Sequence, residues 1–391
     1  MPVAETGATL LAEIFPGKPN GATRLLEGWG PPEDAHCWTV GAQSRCLLPK
    51  TSLGPDCILV VDLKPYIDTQ CPAQSVMLAI DDRLVATIQF SDQRALGFRL
   101  PAGLSGNGEH ILSFTQLNSL SRRTPAGLDH HGVPLGVMVM SLRLYRLTEP
   151  PGRSETLEAL PGPIARAAFA ATAERHTGLS LPALAGRFEC LGHDCEIGTV
   201  QRSFGAEPLG LLRFAGVETH RLAEGLRTGF AGVGAPATTR IFIKDEPAPE
   251  FKVHEQLYYL WYSTRQSPSA TTEAAVHREQ CRRFVFLQRK FMEDLHLGEK
   301  IFAVSRRERL MEAEALALYC ALNLHARNTL LWTLPGDPAL AGIVERTMPG
   351  FLRAHLGSLD PEHQNASQDA WLSVMVNAYL LRRQANAATA K

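Results

Sequence analysis

The chain has 391 residues, enough for about two or three domains, each with its own core. It is 45% hydrophobic and 20% charged with a formal net charge of −1, which excludes a disordered polyelectrolyte and offers no overall charge reason for a nucleic-acid or membrane-surface partner. The opening residues carry no basic n-region and no apolar run reaches membrane-spanning length, so we expect no secretory signal, no transmembrane segment and a cytoplasmic location.

Residues 1–21 read as an N-terminal extension. Residues 22–147 read as an all-β unit of short strands between Gly, Pro and Asp turns, the pattern of a β-sandwich. Cys57–Leu63 is one predicted strand. Ser75–Ile80 and Leu84–Phe90 flank Asp81-Asp82-Arg83, a hairpin signal. Ile111–Phe114 follows, and Val137–Leu147 closes the unit. Residues 148–163 contain Pro150-Pro151-Gly152 and Pro161-Gly162-Pro163 and read as a linker.

Residues 164–384 read as an α/β domain. Ile164–His176 is an alanine-rich helix, Phe188–Leu191 a short buried strand, and Thr239–Ile243, Phe251–His254 and Leu257–Trp261 are further strands. Thr272–Leu295 has an amphipathic helical period. Lys300–Val304, Arg309–Leu324 and Thr329–Trp332 make a strand–helix–strand unit, which implies a parallel pair. Ser367 caps a last helix through Leu381, and residues 385–391 read as a frayed tail. The predicted fold class is therefore multidomain: an N-terminal β-sandwich followed by an α/β domain with a partly parallel sheet.

The chemistry concentrates at Cys190-Leu191-Gly192-His193-Asp194-Cys195-Glu196. A buried strand ends at a glycine turn, and Cys195 falls where a helix begins. Unpaired N–H groups and the positive helix end favour thiolate there, so Cys195 is the candidate nucleophile among eight cysteines. His254, at the end of a predicted strand, is the candidate base. Asp369 and Asp337 are candidates for the acid that would orient it. Cys190, His193 and Cys195 fall short of the roughly four ligands of a zinc site, and neither a metal nor a cofactor is expected. The His130-His131 pair beside Asp129 lacks support as a metal site.

Asp194 and Arg202 flank the cysteine block as substrate-binding candidates. Arg202 and Arg213 would bind an anion or pair with Glu196 and Glu207. Arg306 follows a predicted parallel strand, where open α/β sheets bind ligands, and an arginine there suits a phosphate or carboxylate. No glycine-rich phosphate loop accompanies it. In the β unit, Trp29, Trp38 and Tyr66 would stack on sugar rings or serve the core.

Two segments carry family resemblances. Phe188–Phe214, with Leu191-Gly192-His193-Asp194-Cys195, resembles a bacterial family of papain-like cysteine peptidases. That family places a histidine, often followed by Asp, at the end of a later strand; here the sequence is Val253-His254-Glu255. The likeness extends over about residues 187 to 380 and implies a Cys195/His254 hydrolase. The N-terminal unit resembles a β-sandwich module found beside bacterial glycosyltransferases and exopolysaccharide proteins. That likeness rests on Glu27-Gly28-Trp29-Gly30-Pro31-Pro32-Glu33, Trp38-Thr39-Val40-Gly41 and Pro134-Leu135-Gly136, and it implies a saccharide or a glycan-processing protein as partner.

Three functions are consistent with these residues. The first is a Cys/His hydrolase or transferase in a saccharide context. The second is a glycosyltransferase-like protein with Arg306 on the diphosphate of an activated sugar and a structural Cys195. The third is a non-catalytic saccharide-binding or scaffold protein of polysaccharide synthesis.

Overall fold

The computed structural model describes residues 5–67, 69, 71–104, 108–118, 135–149, 154–162, 164–245, 248–358 and 366–389. His130 and His131 lie outside the described residues. The chain divides into two compact units: Ala8–Pro150 with Glu312–Cys320, and Met1–Gly7 with Pro151–Met311 and Ala321–Lys391.

The first unit is built from two antiparallel sheets. Its elements are β1 (Ala8–Ile14), α1 (Pro19–Ala22), β2 (Cys37–Val40), β3 (Gln43–Leu48), β4 (Cys57–Pro65), β5 (Gln74–Ile80), β6 (Arg83–Phe90), β7 (Arg94–Arg99), β8 (His110–Gln116) and β9 (Leu135–Leu147). One sheet runs β1-β9-β4-β7, with β2 also on β9; the other runs β3-β8-β5-β6. The β5–β6 hairpin turns through Asp81 and Asp82 at φ 48° and 63°. Two successive left-handed residues match the twist of paired strands, and Asp tolerates that region better than bulkier residues. The stretch read as an N-terminal extension holds a strand, because Ala8–Ile14 pairs antiparallel with Leu142–Leu147. Its apolar residues do not alternate strictly with polar ones, so the period of a strand is not visible without that partner.

Residues 312–320, expected from sequence in the α/β domain, group with this unit instead. A Cβ at Gly97 would sit 2.9 Å from Ala317 N, so the missing side chain is what lets the backbones approach. Arg94 Nη1 lies 3.1 Å from the buried carboxylate of Glu314.

The second unit is mixed α/β. Its elements are β10 (Glu155–Leu157), α2 (Phe169–Thr177), α3 (Leu181–Ala185), β11 (Phe188–His193), α4 (Glu196–Ser203), α5 (Thr219–Thr228), β12 (Thr239–Lys244), β13 (Glu250–Glu255), β14 (Leu260–Ser263), α6 (Glu273–Leu297), β15 (Ile301–Ser305), α7 (Glu312–Asn323, shared with the first unit), β16 (Thr329–Pro335), β17 (Val344–Met348), β18 (Phe351–Gly357) and α8 (Gln368–Thr389). The main sheet has the order β10-β17-β18-β16-β15-β11. β11, β15, β16 and β18 are parallel, while β17 and β10 are antiparallel additions. The residues read as a linker thus contain β10, an edge strand.

One face of this sheet is covered by α2, α3, α4 and α8. Cys190, Ile301, Ala303, Leu331 and Leu352 meet Trp371, Leu372 and Met375 of α8 there. The strands β17 and β18 escape a hydrophobic-pattern search because charge interrupts them. Glu345 and Arg353 are cross-strand neighbours and form an ion pair at 2.5 Å. A separate antiparallel sheet, β12-β13-β14, lies with α6 against its inner face, where the Tyr262 and Phe284 rings are 5.4 Å apart. α8 runs to Thr389, beyond the Leu381 expected from sequence.

Candidate functional site

The strand-to-helix turn at Cys195 forms because two consecutive residues adopt the left-handed region: Gly192 at φ 80° and His193 at φ 73°. A Cβ on Gly192 would stand 3.0 Å from Val217 Cγ1 and 3.1 Å from Ala215 O, so glycine is needed for both conformation and space. His193 is held by its surroundings. Its backbone N–H donates to Ala215 O at 2.9 Å, and its Nδ1 lies 3.0 Å from Val217 O, a carbonyl that can only accept, so Nδ1 is the donor there.

Cys195 takes the cap position of α4 and is exposed, unlike the other cysteines, which are buried or, for Cys71, half-buried. The expectation of a depressed thiol pKa is overturned. Partial burial raises it first and the Asp194 carboxylate raises it further, while Arg307 and Arg265 pull it down. The positive end of an eight-residue helix does not offset desolvation plus an adjacent anion. The Asp194 carboxylate accepts the Arg307 backbone N–H at 2.6 Å and does not line the cavity beside Cys195.

Cys195 borders a cavity of about 510 Å³. The opposite wall comes from β14 and α6, through Tyr262, Arg265, Gln280 and Arg283. Arg202 and Arg213 form another side and grip one carboxylate: Arg202 Nε and Arg213 Nη1 lie 2.5 and 2.6 Å from Glu207 oxygens. Both guanidiniums lie over the Phe214 ring, at 5.2 and 4.8 Å. Of the two pairings open to them from sequence, they take Glu207 and not Glu196. Four arginines thus face a single carboxylate around this cavity. Arg283 has no hydrogen-bond or ion-pair partner among the described residues, and Arg265 donates only its backbone N–H, to Glu250. Gln280 is only 4% exposed, yet its Nε2 has no hydrogen-bond partner among the described residues, and neither does the Tyr262 hydroxyl. A buried amide donor without an acceptor is costly unless something supplies one.

The remaining sequence candidates are dispersed. His254 does not border the cavity and shares no hydrogen bond with Cys195. Its ring is stacked on Trp261 at 3.6 Å and 7°, and burial lowers its pKa, so it is a neutral member of an aromatic stack. Asp369 lies in the first turn of α8, where its charge complements the helix N-terminus. Arg306 donates to Thr219 Oγ1 at 2.5 Å and does not border the cavity. Trp29 and Trp38 belong to the other unit. Trp29 spends its Nε1–H on Arg45 O at 2.7 Å and packs edge-on against Phe114, whereas Trp38 is half-buried beside His36 and Tyr66. Asp337 caps the short turn at Pro338 through a 2.8 Å bond to Ala339 N.

Tyr262, Arg265, Gln280 and Arg283 were not candidates from sequence. One signal was available. Gln280 occupies the apolar stripe of α6 with Val276, Phe284 and Leu287, and a polar residue on such a stripe asks for a partner. Among the described residues no group of three or more His, Cys, Asp or Glu side chains is gathered in the manner of metal ligands, and no helix is long and apolar enough to cross a membrane.

No protein-family model matches the chain, and no curated protein matches it. Among solved structures, the chain is similar to a mannan-recognising family 27 carbohydrate-binding module, at 11% identity and a TM-score of 0.25, covering 36% of this chain and 99% of that one. It is also similar to the C-terminal family 6 module of a marine laminarinase from Zobellia galactanivorans, at 6% identity and a TM-score of 0.22, over 34% of this chain and 97% of that one. A match to a family GH115 4-O-methyl-α-glucuronidase, at 13% identity and a TM-score of 0.24, takes in 36% of this chain and only 18% of the glucuronidase. Scores this low carry no functional weight for this chain.

Proposed function

We propose that the α/β unit binds a small anionic molecule, a carboxylate or phosphate ester, in the cavity bordered by Cys195. The observation that supports this reading is the lining: four arginines against the single carboxylate of Glu207, beside the one exposed thiol of the chain. Glu207 offsets one of the Arg202/Arg213 charges. Arg265 and Arg283 are left for an incoming anion, and guanidinium forks suit planar carboxylate or phosphate oxygens. The orphaned Gln280 amide supplies a further donor. In titration calorimetry, inorganic pyrophosphate and glucuronate serve as probes. At least one is expected to bind, with a loss of tenfold or more in the Arg265→Ala/Arg283→Ala variant. Absence of binding by both probes, or equal binding by the variant, defeats the reading.

The finer form of the proposal is a cysteine-dependent hydrolase or transferase. The Cys195 thiolate attacks an ester carbonyl carbon of the bound molecule, the C–O bond to the alcohol breaks, and the departing alkoxide takes up a proton from water. The resulting thioester is cleaved by water or an acceptor alcohol to return the thiol. A papain-type dyad is not what supports it, since His254 is engaged with Trp261. Without that base the thiol has to ionise on its own, and its raised pKa restricts reactivity to alkaline pH. The expected alkylation of Cys195 by iodoacetamide therefore has its midpoint above the ordinary thiol value of about 8.5. Asp194→Asn removes a repelling anion and should lower that midpoint, Arg265→Ala should raise it, and His254→Ala should leave it unchanged. Peptide mass spectrometry across pH reads all four. A midpoint below 8.5 that depends on His254 would restore the dyad.

A second reading is favoured by the half-buried Trp38, whose ring stands edge-on to His36 and Tyr66 at centroid distances of 6.1 and 6.0 Å. Such a group can pack against the apolar face of a sugar, so saccharide binding by the sandwich, with or without catalysis elsewhere, is the corresponding proposal.

A further inference from the structure

The sheet β12-β13-β14 has an outer face whose aromatic residues do not border the cavity. Cross-strand register puts Arg240, His254 and Trp261 on one rung, and Phe242, Lys252 and Ser263 on the next. Directly opposed residues of antiparallel strands project to the same side. Trp261 is 45% exposed, Tyr259 45% and Phe242 39%. Phe242 stands edge-on to Trp261 at 5.6 Å, Tyr259 edge-on to His254 at 5.3 Å, and the Arg221 guanidinium lies 4.7 Å over Tyr259. An apolar surface of this kind on the outside of a sheet marks an interaction site.

Lys252 on this face is paired with Glu250, but two further cations are not. Arg240 and Lys244 form no ion pair among the described residues, and their four-residue spacing along β12 sets them about 13 Å apart. The carboxylate of Glu250 on the adjacent strand is already held by Lys252 at 2.8 Å and by Ser263. We propose that this face binds an anionic polysaccharide chain, its pyranose rings against Trp261 and its carboxylates or sulfates on Arg240 and Lys244. Single-stranded nucleic acid fits less well. The coplanar His254 covers one indole face, which leaves one face for a ring and no aromatic pair to hold a base between. The chain's net charge of −1 also lacks the basic excess that a phosphate on every nucleotide calls for. Sparser charges on a glycan match two separated cations.

The test uses the full chain with oligogalacturonate, neutral maltohexaose and single-stranded oligothymidylate as probes in fluorescence titrations at low and moderate salt. Oligogalacturonate is expected to bind, weakening as salt rises. Trp261→Ala should reduce affinity tenfold or more, and Arg240→Ala/Lys244→Ala should weaken it and flatten the salt dependence. These positions are exposed, so the variants should melt like wild type; Trp261→Phe, which keeps a ring, should retain most of the binding and separates loss of contact from loss of fold. Arg265→Ala/Arg283→Ala, which removes the cavity's unpaired cations, should leave this binding unchanged, so the result is independent of the cavity's ligand. Failure to bind oligogalacturonate, equal binding of maltohexaose, tighter binding of oligothymidylate, or unchanged affinity in Trp261→Ala would each overturn the proposal.

Discussion

Glu196→Ala is expected to destabilise the α/β unit by about 3–5 kcal/mol, because it removes the acceptor shared by three converging donors. Glu196 is the first residue of α4 and is buried. Its carboxylate accepts from Ser305 Oγ at 3.0 Å, Ala366 N at 2.6 Å and Trp371 Nε1 at 3.0 Å. These donors come from the end of β15, the entry to α8 and α8 itself. One carboxylate therefore ties the carboxyl end of a central strand to two helix starts. It forms no ion pair among the described residues, so hydrogen bonds and the positive end of α4 carry the charge. Removing it leaves three donors facing an apolar void, including the indole N–H of a fully buried tryptophan. Glu196→Gln keeps the volume but turns an NH2 toward a donor, and should cost less than alanine and more than 1 kcal/mol. Urea unfolding should show a lower midpoint with an unchanged slope. A loss under about 1 kcal/mol for Glu196→Ala would show that the three bonds are not a structural tie.

The second large effect is pH-dependent and centres on Glu189 of β11. Burial pushes its pKa up from 4.5 to about 7, with Lys290 opposing and Asp294 adding to the rise. Lys290 Nζ lies 3.6 Å from one carboxylate oxygen but is in closer contact with Asp294, and Glu189 Oε1 has no hydrogen-bond partner among the described residues. Lys290 is thus divided between two acids, and desolvation prevails at Glu189. In the unfolded chain Glu189 loses its proton near 4.5, and in the folded protein near 7. Between those values the native state binds the extra proton, so stability falls as pH rises through the window and levels off above it. The loss attributable to this residue is about 3 kcal/mol. Glu189→Gln should remove that slope and be more stable than wild type at pH 8. Urea midpoints from pH 4.5 to 8 test it, and parallel curves for the two proteins would defeat it.

Much of the architecture near Cys195 was legible because it is local. A glycine at a strand end, a cysteine and then a helical period are all encoded within a dozen residues, and the observed order is β11, turn, α4. The β15-α7-β16 unit was legible for the same reason, its periods being long and uninterrupted. β1 and β10 were missed because each is an edge strand whose signal is its partner. β17 and β18 were missed because charges paired across strands look, in one dimension, like solvent-facing residues.

The candidate site was legible only on its α4 side. Its chemistry depends on Gln280 and Arg283 of α6 and on Tyr262 and Arg265 around β14, which lie more than 60 residues from Cys195. His254 shows the converse. Its strand position was read correctly enough to find it on β13, but the cross-strand register that stacks it on Trp261, and not on a thiol, is a property of the folded sheet.

By itself the sequence determined where strands and helices alternate, where the chain turns and which cysteine opens a helix, since those follow from periodicity and glycine chemistry over short spans. Only the tertiary structure decided what surrounds the thiol, which acids are dry and which rings face solvent. Desolvation and charge pairing depend on distances in space, and those distances are set by packing between segments remote in sequence.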